Sequence, residues 1–159
     1  MSIQSLDANI LLPAVDVGAK DHPAAKAYLD SLRYNEDVVL SELILLELYN
    51  LIRNVKVAVK PLSPDEAVSV CQRLRGHPYW QIRGLPEDCE EFHDQLWELL
   101  RVPNTARRRA YDLRAGLALR HFGVTDFATA NIKDFQGLGF ARVWNPLAAD
   151  APSVPQDPL

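Results

Sequence analysis

The sequence predicts an α/β sandwich built round a parallel sheet, on two observations. Short β-branched or apolar runs alternate with longer stretches of helical character, and the runs lead into polar residues. Residues 2–6 form a short strand leading into Asp7, and Val38-Val39-Leu40 a second that ends at Ser41. Thr125–Thr129 reads as a third strand and Val143-Trp144 as a fourth. Ligands of such sheets sit beyond the carboxyl ends of the strands, which places Asp7, Ser41 and the segment Asn131–Asp134 on one edge.

The helices between the strands are marked by their ends. Asp21 or His22, with Pro23 just inside, opens the first, and Ala24, Ala25, Ala27, Tyr28 and Leu32 supply its apolar face. Glu42 to Ile52 is apolar nearly all round, which predicts a buried helix. Ser63-Pro64-Asp65-Glu66 is a capping box with proline at the first helical position, and Gly76 stops the helix it starts. Pro86-Glu87-Asp88 opens another through Leu100, its acids favoured by the helix dipole. Arg107 to Phe122 is the last, ending at Gly123.

The 159 residues suffice for one domain and one substantial core. With 48% hydrophobic and 24% charged residues, the composition is that of an ordinary globular protein and excludes disordered and fibrous classes. No apolar run reaches the roughly 18 residues of a membrane span, and the first residues lack the basic and apolar regions of a signal peptide. A cytoplasmic location without membrane attachment is expected. Cys71 and Cys89 lack metal-ligand spacing and are expected as free thiols. Four prolines from Pro146 onward leave little to bury, so residues 1–146 are expected as the domain and 147–159 as a disordered tail. The net charge of −4 argues against a general nucleic-acid coat, yet Arg101, Arg107, Arg108, Arg109, Arg114 and Arg120 face only Asp112 within one segment.

Four acids stand against apolar or small-residue stretches: Asp7, Glu47, Asp112 and Asp134. An ionised carboxylate leaving water without a partner costs several kcal/mol or more, so such groups usually meet a cation. One shared metal site is the economical reading. Three of the acids also have a plainer explanation. Glu47, whose helix offers it no solvated position, would pair with a buried arginine. Asp112 would bridge to Arg108 or Arg109 one turn earlier. Gly116, one turn after Asp112, suggests close approach of another backbone. Ser41 has the character of a helix N-cap, and Thr129, Asn131 and Asp134 of turn residues. Hard oxygen ligands without clustered His or Cys select Mg²⁺ or Mn²⁺ over zinc, which suits phosphodiester hydrolysis.

Asp7-Ala8-Asn9-Ile10-Leu11-Leu12, Ser41 with Glu47-Leu48 six residues on, Tyr111 to Ala118 and Thr129 to Phe135 occur in this order. Together they resemble the motifs of the PIN domain, and specifically the VapC-like toxin ribonucleases of toxin–antitoxin pairs, from about Leu6 to Pro146. The resemblance implies a three-layer α/β/α sandwich, Mg²⁺- or Mn²⁺-dependent endoribonuclease activity, homodimerisation with a possible higher toxin–antitoxin assembly, and inhibition by a small VapB-like antitoxin. Asp7, Glu47 and Asp112 match the acidic core, with Asp7 and Asp112 as direct metal ligands. Some relatives carry Asp where this chain has Asn131; here Asp134 supplies that charge, and Ser41, Asn9, Thr129 and Asn131 support the site.

The expected reaction is attack of water on an RNA phosphodiester, with Glu47 and Asp134 completing the charge around Asp7 and Asp112. Arg107, Arg108 and Arg109 would guide the backbone, and Tyr79 or Trp80 would stack on bases. Two other functions fit the same residues. One is a housekeeping PIN nuclease of RNA processing; the other is an inactive PIN-like binding protein.

Overall fold

A computed structural model describes residues 2–148. Among these residues five strands of three residues each carry the fold: β1 (Gln4–Leu6), β2 (Val39–Ser41), β3 (Gln81–Arg83), β4 (Asp126–Ala128) and β5 (Arg142–Trp144). Strands β1, β4 and β5 form one parallel ladder, and β2 and β3 another. A parallel bridge between Gln4 and Val38, with the Gln4 N–H donating to the Asp37 carbonyl at 2.9 Å, joins them in the order β3-β2-β1-β4-β5. All carboxyl ends point the same way, as the predicted crossovers require.

Among the described residues seven helices surround the sheet: α1 (Ala8–Val15), α2 (His22–Ser31), α3 (Glu42–Arg53), α4 (Pro64–Arg75), α5 (Cys89–Leu99), α6 (Arg109–His121) and α7 (Ile132–Phe135). Helix α1 packs on α2 and α3, and α3 on α4; α6 packs on α5 and α7, which completes the α/β/α sandwich. The predicted start signals hold. Ser63 Oγ accepts from the Glu66 N–H at 3.3 Å while the Glu66 carboxylate accepts from the Ser63 N–H at 2.8 Å. Asp88 accepts from the Glu91 N–H at 3.1 Å.

Three elements were not predicted. Helix α1 begins at once after Asp7 and tolerates Pro13, at the cost of the bond that the Asn9 carbonyl would accept. Strand β3 and the four-residue α7 are too short to show a period. Helix α6 starts at Arg109 and not Arg107, because Arg107 lies in the turn before it.

The core lies between the layers. Leu6, Leu11, Leu40, Leu48, Leu119 and Phe127 are fully buried, each worth about 1.5–3 kcal/mol by area removed from water. Phe127 meets Phe135 edge-on at 4.8 Å and stacks on Phe140 at 5.4 Å. Helix α3 is amphipathic, not buried all round: Ile44, Leu45, Leu48 and Ile52 face inward, whereas Leu46 is 61% exposed. Gly116 is needed for side chains and not for a backbone, since a Cβ there would meet Leu138 at 2.7 Å and Phe135 at 3.2 Å. Both cysteines are free. Leu147 packs against the core, and residues 149–159 of the expected tail lie outside the described residues. Among the described residues no helix is long and apolar enough to cross a membrane.

Candidate active site

Strand ends meet at the carboxyl edge of the sheet. Leu6 pairs with Ala128 and the Asp7 N–H donates to the Ala128 carbonyl at 2.8 Å, so Asp7 and Thr129 leave β1 and β4 side by side. Asp7 is 7% exposed and Thr129 fully buried. The Thr129 hydroxyl donates to Asp7 Oδ2 at 2.7 Å, and Asp7 Oδ1 accepts from the Ala8 N–H at 2.7 Å, capping α1. Asn9 extends the network: its Nδ2 donates to Thr129 Oγ1 at 3.3 Å and its Oδ1 accepts from the Ala130 N–H at 3.0 Å. Asn131 joins through its main-chain N–H, which donates to Thr129 Oγ1 at 3.0 Å; its side chain is exposed.

Ser41 ends β2 fully buried, and its Oγ accepts from the Leu43 N–H at 3.1 Å. It is therefore the N-cap of α3, and with Gln4 opposite Val38 it lies level with Asp7 across the sheet. Glu47 projects from α3 and is exposed, where its apolar neighbours had suggested burial; those neighbours occupy the inward face and leave Glu47 at its flank. Asp112 is half-buried on the first turn of α6, and Asp134 half-buried on α7.

The acids feel one another. Desolvation lifts the Asp7 carboxyl to about 6, the Asp112 charge adds to this, and the bonds from Thr129, Ala8 and Asn9 oppose it. Glu47 rises to about 7, first from desolvation and then from the charges of Asp7 and Asp112. Exposure belongs to the whole Glu47 residue and desolvation to its carboxyl tip, so the two coexist. Asp112 is raised by desolvation and by Asp134, with Arg109 opposing. Asp112 thus connects all four acids.

The ion pairs that would explain Glu47 and Asp112 do not form among the described residues. Among the described residues the ion pairs are Lys26–Asp30, Arg75–Glu42 and Arg101–Glu98, all on the surface. Neither Glu47 nor Asp112 has an arginine partner among them. The Arg109 guanidinium donates to the main-chain carbonyl of Asp134, tying α6 to α7 beside the acids. Among the described residues no three His, Cys, Asp or Glu side chains gather tightly enough to hold one ion together. The acids form an open acidic edge. Its donor set is all oxygen, with Arg109 alongside but in no ion pair with the acids among the described residues, and fits a hard divalent ion.

The arginines disperse. Arg101 pairs with Glu98 at 2.9 Å, and Arg120 donates to the Val124 carbonyl and lies over the Phe140 ring. Arg107 and Arg108 are exposed before the start of α6. Tyr79 and Trp80 precede β3, at the sheet edge opposite the acids. Trp80 is core: its Nε1 donates to the Leu32 carbonyl at 3.0 Å and its ring stacks on His77. Arg83, at the carboxyl end of β3 and paired in register with Ser41, was missed because its strand carries no sequence period.

No protein-family model matches the chain. It is 43% identical over 146 residues to Ribonuclease VapC24 of Mycobacterium tuberculosis, in two strains, covering 92% of this chain and 98% of that protein. The crystal structure of Mycobacterium tuberculosis VapC20, a sarcin-ricin loop cleaving toxin, superposes with a TM-score of 0.63 at 18% identity over 86% of this chain and 95% of that one. FitAB, solved bound to an IR36 DNA fragment, gives 0.59 at 19% identity over 91% and 96%. The two solved structures share the fold, and the first relative shares the sequence along nearly its whole length. The chain belongs to the VapC family of PIN-domain ribonucleases.

Proposed function

We propose that this protein is a divalent-cation-dependent endoribonuclease acting as the toxin of a toxin–antitoxin pair. The observation that carries the reading is the set of interacting acids at the carboxyl edge of the sheet, without ion-pair partners among the described residues. Asp7 and Asp112 are the ligands of the ion in this reading, with Glu47 and Asp134 completing the charge. A divalent cation bound there lowers the pKa of water and screens the charge developing on the phosphate. Asn9 and Thr129 hold Asp7 in place from one side, and the α7 anchor at Arg109 holds Asp134 from the other. Glu47, beside Asp7 and Asp112, would accept the proton of the attacking water.

RNA is the substrate in this reading, and the name of the VapC24 relative supports it. The partners are a VapB-like antitoxin and a second copy of the chain. A groove of about 370 Å³ between α3 and α4, where Leu46 and Val68 are 61% and 47% exposed, offers apolar surface for a protein partner. The test is cleavage of total RNA with Mg²⁺, with Mn²⁺ and with chelator, followed by mapping of the new ends. Cutting that stops with chelator and in Asp112→Asn supports the proposal. Cutting that survives both removes it.

A further inference from the structure

The first turn of α6 presents an aromatic ring that the fold does not cover. Tyr111 is 78% exposed and directly precedes Asp112. Seven residues on, at nearly the same angle round the helix, Ala118 is fully buried. The face of α6 that packs farther along is therefore bare at its start, where the helix reaches the acids. Arg108 and Arg114 flank Tyr111 three residues before and after it, and Arg107 lies in the turn just ahead. Arg107 and Arg108 are exposed, and no side-chain partner for Arg107, Arg108 or Arg114 occurs among the described residues.

An exposed ring among cations selects its partner by chemistry. An apolar protein helix would place hydrocarbon against three charged groups, whereas single-stranded RNA offers a base to the ring and phosphates to the guanidinium groups. Duplex RNA keeps its bases stacked inside. We propose that Tyr111 is a positioning residue that stacks on an unpaired base next to the scissile phosphate, while Arg107, Arg108 and Arg114 hold the flanking backbone. The proposal rests on the ribonuclease reading and replaces Tyr79 and Trp80 as the stacking residues. A base held there sets the register of the strand over Asp112, one residue away, without touching the reacting atoms.

The test is binding of a fluorescent single-stranded oligoribonucleotide to the full chain in chelator, where no cut occurs, beside cleavage kinetics with Mg²⁺. Tyr111→Ala is expected to weaken binding roughly 5- to 160-fold and to raise KM with kcat largely kept, from the ~1–3 kcal/mol that one stacked base contributes. Tyr111→Phe should restore wild-type binding, because it keeps the ring. Annealing the oligonucleotide to its complement should reduce wild-type and Tyr111→Ala binding to the same level. Wild-type binding that resists chelator, with no cleavage on adding Mg²⁺, ends the nuclease reading and leaves the stacking intact. The stacking is overturned if Tyr111→Ala binds as wild type, if Tyr111→Phe loses as much as alanine, or if the wild type binds no RNA. Unchanged RNA affinity with a shifted oligomeric mass in Tyr111→Ala would assign the ring to a subunit contact and also overturn it.

Discussion

Helix α1 carries a buried aspartate at each end, and the two are used in opposite ways. Asp16, 3% exposed at the carboxyl end, accepts from the main-chain N–H groups of Val59 at 2.7 Å, Lys60 at 3.1 Å and Gly18 at 3.2 Å. It staples the loop after α3 to the end of α1. Asp7, 7% exposed at the other end, receives the Ala8 N–H and the Thr129 hydroxyl and then faces two further acids, Glu47 and Asp112. Burial is nearly the same; the neighbouring charge is not. A buried carboxylate ringed by N–H groups holds structure together, whereas one that faces other carboxylates stores repulsion that a cation relieves.

The largest expected effect separates the two in activity. Asp7→Asn should lower the rate of metal-dependent RNA cleavage by more than about a hundredfold, since even outer-shell partners of a metal ligand cost ~10–100-fold. Its circular dichroism and melting in chelator near pH 7.5 should match or exceed the wild type, because the amide removes an ill-favoured charge. A clear loss of stability in this variant would erase the distinction between the two ends.

Asp16→Ala should do the reverse. Three main-chain donors lose a charged acceptor, so the fold should lose about 2–3 kcal/mol, read from urea melts, while the folded fraction keeps its cleavage rate.

The pH dependence sharpens the contrast. Asp7 is raised in the fold to about 6 and Glu47 to about 7, so the folded state binds their protons more tightly than the unfolded chain. Their contribution is full below about pH 4 and is lost as pH rises through about 6 to 7. In chelator, melting temperature should therefore fall across that window on this account, and Asp7→Asn should flatten the fall. Millimolar Mg²⁺ should restore stability at the upper end by binding the ionised acids. A melting temperature that is flat with pH and indifferent to Mg²⁺ would count against the acidic edge.

Smaller effects concern the surroundings. Thr129→Val removes one donor from Asp7 and should cost about 1 kcal/mol at pH 7.5, with a smaller cost at pH 4 where the carboxyl is protonated. Arg107→Gln with Arg108→Gln should reduce the slope of log affinity against log salt for single-stranded RNA by about 1.4, from roughly 0.7 per phosphate contact. An unchanged slope would place both arginines off the RNA path.

Legibility followed the length over which a signal repeats. The capping box at Ser63 and Glu66, the acidic start at Asp88 and the stop at Gly123 are local chemistry, and each appears where the sequence put it. Helix α1 hides because a proline interrupts an apolar run, and β3 and α7 hide because three or four residues cannot establish a period. The candidate acids were legible as charges beside apolar stretches. Their surroundings were not: the same pattern that marked Glu47 as buried leaves it at the rim of α3, and the arginines of one segment point to separate duties.

The order of residues alone settles the alternation of strands and helices, their caps and which carboxylates are out of keeping with their neighbours, since these depend on contacts a few residues long. Whether Asp7, Glu47, Asp112 and Asp134 meet depends on the register of β1 with β4 and on the packing of α6 against α7. The first joins residues over a hundred positions apart and the second ties Arg109 to Asp134, 25 positions on, and no local propensity encodes either. Folding also separates Asp16, encircled by N–H groups, from Asp7, left facing charge, because donors arrive from loops that sequence proximity does not bring near.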